Sequence, residues 1–96
     1  MTVSEPVGQS QRWLIEAEIM PKQGVNDPQG EAVLSGLEAL AFGGIRRVRV
    51  GKLIRIEVDA ASEEDAVGQG NRMCEKLLAN PVIEEFVVAA ARIGQE

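Results

Sequence analysis

IRRVRVGKLIRIEVD, residues Ile45 to Asp59, is the stretch whose reading decides the fold of this chain. Val48 and Val50 alternate with Arg47 and Arg49, and Ile54, Ile56 and Val58 alternate with Arg55 and Glu57, which is the two-residue period of strands with one buried face. Residues that face each other across a hairpin point to the same side, so the pattern also fixes a register. A two-residue turn at Gly51-Lys52 sets Val50 against Leu53 and Arg49 against Ile54, mixing polar and apolar groups on one face. A three-residue loop of Gly51, Lys52 and Leu53 instead sets Val50 against Ile54, Val48 against Ile56 and Arg47 against Glu57, and leaves Arg49 facing Arg55. The spacing therefore predicts a β-hairpin with that longer loop.

Upstream, Trp13, Ile15, Ala17 and Ile19 alternate with Arg12, Leu14, Glu16 and Glu18, predicting a first strand that ends at Pro21. In the following NDPQG, Asp27 is a natural N-cap and Pro28 occupies the first helical position, where its missing N–H does no harm. Val33, Leu34, Leu37, Leu40 and Ala41 make the apolar stripe of that helix, which closes at Phe42 and Gly43-Gly44. Downstream, Ser62 caps a second helix with Glu63, Glu64 and Asp65 in its first turn, where the helix dipole favours carboxylates. Its stripe is Ala66, Val67, Gly70, Met73, Cys74, Leu77 and Leu78, and Asn80-Pro81 stops it. A last strand follows, with Phe86, Val88 and Ala90 on one face and Ile83, Val87, Ala89 and Ile93 on the other.

The order strand, helix, strand, strand, helix, strand predicts an α+β fold, the ferredoxin-like βαββαβ two-layer sandwich, in which two right-handed crossovers build a four-stranded antiparallel sheet with both helices on one face. Met1 to Gln11, polar and aperiodic, is expected to be a disordered tail, residues 12–93 a single domain, and residues 94–96 a short C-terminal end. Leu14, Glu16, Glu18, Met20, Arg47, Arg49, Arg55 and Glu57 are expected on the uncovered sheet face, a mixed set that suits a partner surface.

A chain of 96 residues with 45% apolar and 26% charged residues and a net charge of -5 is an acidic globular domain, ill suited to coating nucleic acid. A domain this small buries only about 60 to 65% of its unfolded surface, so self-association as a homo-dimer or dimer of dimers is expected. The one cysteine excludes an internal disulfide, the first residues lack the pattern of a secretory signal, and no apolar run approaches the ~20 residues of a membrane span; the expected compartment is the cytoplasm. The chain has no histidine, so the commonest general base and metal ligand is missing. No catalytic, cofactor-binding or metal-ligating residue is predicted.

Two features have both an ordinary and a functional reading. Asn26, Asp27, Gln29 and Gly30 are on the ordinary reading a well-capped helix start, and on the functional one a docking surface of exposed N–H groups and an amide. Arg46, Arg47, Arg49, Lys52 and Arg55 hold half of the chain's ten basic residues. They are either the wet face of a hairpin or, given their excess in an acidic chain, a contact for an acidic or phosphate-bearing partner. Asn26, Asp27, Gln29, Gly30, Arg47, Arg49, Lys52 and Arg55 are accordingly the candidate partner-contact residues. An RNA-binding sheet of this topology needs aromatics on its outer face, and Trp13 is predicted to point inward. Cys74 reads as packing, and Glu84 and Glu85, adjacent on a strand, point to opposite faces and cannot act as an acid–base pair.

NDPQG before a helix, VRVGK, and MCEKLLANPVIEEF at the end of the second helix together resemble the PurS family, the small subunit of bacterial and archaeal phosphoribosylformylglycinamidine (FGAM) synthase, over about Arg12 to Val88. The N-terminal extension and the Ala-rich end depart from that pattern without touching these segments. The resemblance implies a non-catalytic bridging role in purine biosynthesis, where glutamine and ATP convert formylglycinamide ribonucleotide to formylglycinamidine ribonucleotide. It implies two partners, a glutaminase subunit (PurQ) that releases ammonia and a synthetase subunit (PurL) that uses ATP and Mg, with no cofactor on this chain. A free-standing regulatory domain that dimerises around a small molecule is the alternative. A small phosphatase of this topology would need an Arg in the loop from Pro21 to Asp27, which has none.

Overall fold

The computed structural model describes residues 10–94, so most of the expected N-terminal tail, and the last two residues, lie outside the described part. Strand β1 (Gln11–Pro21) is central in a three-stranded antiparallel sheet of order β2-β1-β3, flanked by β2 (Lys52–Ala60) and β3 (Glu84–Arg92). Its inward residues are the core: Trp13 is 7% exposed, and Ile15, Ala17 and Ile19 are 1% or less. The register explains why. Ile15 lies between Ile56 and Ala90, and Ala17 between Ile54 and Val88, so all three strands turn apolar side chains to one face.

Helix α2 (Glu63–Met73) covers that face and buries Ala66 and Gly70 against it. Ser62 caps it as expected, accepting from the Asp65 N–H at 3.0 Å. The buried Trp13 indole N–H finds a partner in the Ala60 carbonyl at 3.1 Å. After Met73 the helix widens into one π-helical turn, Cys74–Leu78. The wider turn shifts the stripe: Leu77, expected inward, is 82% exposed, while Cys74 is buried and Leu78 packs on the core.

The hairpin is not formed within the chain, and this corrects the sequence reading. Residues 45–50 are extended but belong to no strand, and β2 begins only at Lys52, so the sheet of one chain has three strands rather than four. A three-residue hairpin loop needs a residue in the left-handed region, and none of Gly51, Lys52 and Leu53 has a positive φ. Gly51 is used differently: it lies so close to the Ile19 carbonyl and the Met20 sulfur that no Cβ fits there. The segment 42–51 therefore runs straight into the start of β2 as an arm.

The first helix, α1 (Pro28–Ala39), is equally detached. It starts where expected, with Asp27 as N-cap and Pro28 in the first turn, yet buries only Gly30. Val33 and Leu40, expected on a core-facing stripe, are exposed, as is Phe42 beyond the helix. The expected placement of both helices on the sheet thus holds for α2 alone. The described chain measures 57 × 32 × 14 Å with a radius of gyration of 18.1 Å, against about 12 to 13 Å for a compact domain of this length.

Ile15 is fully buried at the middle of β1 beneath α2. Ile15→Ala is expected to cost about 2 to 5 kcal/mol, read by urea unfolding at fixed protein concentration.

Candidate functional site

The NDPQG loop and the basic arm meet. Both carboxylate oxygens of Asp27 are used: Oδ1 accepts from the Gly30 N–H at 3.0 Å, capping α1, and Oδ2 accepts from the Val50 N–H at 3.0 Å, fastening the arm to the helix start. Gly30 lies against the Val48 carbonyl so closely that a Cβ would overlap it, so a glycine is required in the first turn. Helix α1 and the arm are therefore one unit joined at Asp27.

A cleft of about 260 Å³ opens between them, lined by Asn26, Asp27 and Gly30 on the loop side and Arg46, Arg47 and Arg49 on the arm side. Gln29 and Lys52 lie across the arm, in a smaller cleft with Glu84. The structure thus gathers every candidate contact residue except Arg55. That residue stands on the open sheet face opposite Glu16, its Nε 2.7 Å from the Glu16 carboxylate, and does not face Arg49 as the hairpin register required. Arg49 donates to the Pro21 carbonyl and lies 3.7 Å from the Glu85 carboxylate. Arg46 and Arg47, by contrast, have no hydrogen-bond or ion-pair partner among the described residues.

Leu34, Glu31 and Lys22 also line the cleft and were not among the candidates. Nothing in the sequence marks Lys22; its Nζ donates to the Pro81 carbonyl at 2.7 Å, tying the β1 exit to the loop before β3. The open sheet face carries Leu14, Glu16, Glu18, Met20, Arg55 and Glu57 as expected, joined by Leu53 and Val87 in the row of Glu18.

The hydrogen bonds from Val50 and Gly30, aided by Arg49 and Arg47, hold the Asp27 carboxyl below its ordinary value of 3.8, outweighing the opposing effect of burial. A depressed carboxylate pKa means stability that is present above 3.8 and is lost as pH falls through the lower folded value. Burial, with Glu75 adding to it, pushes the Cys74 thiol up, away from nucleophilic use. Among the described residues no group of His, Cys, Asp and Glu is placed to hold a metal ion, and no helix is long and apolar enough to cross a membrane.

Residues 14–92 match the family model PurS: Phosphoribosylformylglycinamidine (FGAM) synthase. The chain is 46% identical over 67 residues to the phosphoribosylformylglycinamidine synthase subunit PurS of Archaeoglobus fulgidus, covering 70% of this chain and 84% of that one. It superimposes on Thermus thermophilus PurS with a TM-score of 0.78 and 34% identity, over 86% of this chain and 99% of that one. A chain of the Thermotoga maritima PurLQS structure matches with a TM-score of 0.75 and 31% identity, over 83% of this chain and 98% of that one.

Replacing Asp27 with Ala removes the cap and the anchor of the arm together. The variant is expected to unfold more readily than the parent at neutral pH, and the gap is expected to narrow as pH falls below 3.8, measured by urea unfolding across pH 2 to 7.

Proposed function

Because the chain belongs to the PurS family of FGAM synthase subunits, we propose that it is the bridging subunit that joins the glutaminase (PurQ) and the synthetase (PurL) in purine biosynthesis. The observation that carries this reading is the match, over nearly the whole described chain, to a chain of the PurLQS structure from Thermotoga maritima. The chain contributes no reacting group. ATP and Mg belong to the synthetase subunit, and the glutamine chemistry to the glutaminase.

The physical case for a bridge lies in the intermediate. Ammonia released into bulk water is diluted and mostly protonated near neutral pH, whereas in a joined complex it reaches the second site as the neutral nucleophile at high effective concentration. Contact with the larger subunits runs over Asn26, Asp27, Gln29, Gly30, Arg47, Arg49, Lys52 and Arg55. Within that set Arg47, with its neighbour Arg46, has no ion-pair partner among the described residues and supplies positive charge for an acidic partner surface. Arg49 and Arg55 are largely satisfied inside the chain and act more by shape. The chain also self-associates: α1 and the arm expose apolar residues that a monomer leaves in water.

In a reconstituted mixture of the three subunits, leaving this chain out is expected to abolish glutamine-dependent synthesis while largely sparing synthesis driven by added ammonium salt. An equal fall in both reactions would replace the bridging account with activation of the synthetase site. Arg47→Glu is expected to weaken association with the larger subunits without unfolding the chain, measured by titration calorimetry or sedimentation.

A further inference from the structure

The cleft between α1 and the arm carries a charge opposite to that of the chain. Lys22, Arg46, Arg47 and Arg49 line it against Asp27 and Glu31, an excess of two positive charges in a chain of net charge -5. Excess cations on a convex surface are ordinarily just solvated. Here they meet in a concavity of about 260 Å³ whose walls are fixed. The Asp27 carboxylate holds the Val50 N–H, Gly30 packs on the Val48 carbonyl, and Arg49 donates to the Pro21 carbonyl. Three contacts thus tie the arm beside Arg47 to the helix start and to the end of β1, so a ligand has little chain to order when it binds.

From this geometry we infer that the cleft is a binding site for the phosphate group of a small phosphate monoester, with the Arg47 guanidinium as its principal donor. Arg47 and Arg49 occupy alternate positions of an extended segment and so share a face. Both stand close enough to Asp27 to lower the pKa of its carboxyl, yet neither forms an ion pair with it, and both Asp27 oxygens accept from backbone N–H groups. The Arg47 fork has no hydrogen-bond or ion-pair partner among the described residues and suits an oxyanion held by two parallel hydrogen bonds. Lys22 donates to the Pro81 carbonyl and, with three N–H donors, has others to offer. The helix start contributes little, since Pro28 has no N–H and those of Gly30 and Glu31 are taken by Asp27. The cations carry the site.

Charge and size choose the ligand. A phosphate monoester carries about -1.5 to -2 charges at pH 7, which matches the local excess, whereas one carboxylate leaves much of it unanswered. The cleft of about 260 Å³ lies below the roughly 300 to 1,000 Å³ of sites for drug-sized ligands, so the organic part is short, and Val25 and Leu34 give it an apolar wall. Nucleic acid is disfavoured by the net charge of the chain and by the lack of an aromatic side chain among the described residues that line the cleft. The site belongs to the free chain and does not depend on the bridging role.

Titration calorimetry of the full chain at about 0.15 M salt, with glycerol 3-phosphate as the probe, tests the assignment. The expected result is one saturable site per chain with Kd on the order of 1 mM or tighter, no binding of glycerol, and weaker binding of inorganic phosphate, which lacks the organic part. The amide resonances that move on titration are expected to be those of residues 22–31 and 46–50. Arg47→Ala is expected to lower the affinity about tenfold or more, the worth of a charge-assisted hydrogen bond. Its circular dichroism spectrum is expected to match that of the parent, because Arg47 is exposed. Arg12→Ala, at the opposite end of β1 about 30 Å away, is expected to bind as the parent does. Equal loss in the two variants, or shifts spread over the whole chain, would mean diffuse attraction and would overturn the site. Absence of saturable binding would overturn it as well. Equal affinity for inorganic phosphate and glycerol 3-phosphate would keep an oxyanion site and overturn the ester. None of these results bears on the bridging role, which the reconstituted synthesis reads.

Discussion

Both edges of β1 are occupied, and the rest of the structure depends on that. A strand in this position must offer one face to a core and both backbone edges to neighbours, and the alternation Trp13, Ile15, Ala17, Ile19 meets the first demand without a break. The remaining core residues are placed by their distance from this row. Ile54 and Ile56 reach it from one side, Val88 and Ala90 from the other, and the small residues of α2 from above. The helical layer over the sheet contains one helix. Helix α1 and the arm lie off that inward row and contribute no residue to either buried core cluster among the described residues.

The sequence was legible where the signal was local and periodic. The β1 face, the Asp27 and Ser62 caps, the acidic first turn of α2 and the inward face of β2 were all read from spacing and residue type, whereas the two apolar faces of β3 left its inward side open. Among the expectations that failed, two show the physical reason plainly. The inward position of Leu77 assumed 3.6 residues per turn through Cys74–Leu78, and a single wider turn there keeps Leu78 on the core and leaves Leu77 exposed. The hairpin failed because alternation specifies which residues share a face, but not whether the chain turns back between two alternating runs. Whether Gly51 turns or runs straight is decided by its contact with Ile19, a residue more than thirty positions earlier in the sequence.

At the candidate site the same division applies. That Asp27 caps a helix is written in Asn-Asp-Pro-Gln-Gly; that its second oxygen holds Val50 is a tertiary fact with no local signature. The arginines of the arm look alike in sequence and differ in the structure. Arg49 is tied to the end of β1 and to Glu85, Arg55 beyond it on β2 answers Glu16, and Arg46 and Arg47 have no hydrogen-bond or ion-pair partner among the described residues. A charge run therefore located the surface but could not rank its members.

The shape of the chain connects these points to its role. A slab 14 Å thick and 57 Å long has far more surface than its length requires, which is a poor arrangement for a domain that must be stable alone. It suits a subunit whose contribution is contact rather than chemistry. The chain's titratable groups with shifted values, Asp27 and Cys74, are a helix cap and a packing thiol, and neither is paired with a general base among the described residues. Its residues can be spent instead on presenting several surfaces at once: the open sheet face, the basic cleft and the apolar flank of α1. The cost is that its stability is linked to the concentration of whatever covers those surfaces. For the bridging role proposed above that linkage is an advantage, because a subunit stabilised by its partners is stable where the complex forms and dispensable where it does not.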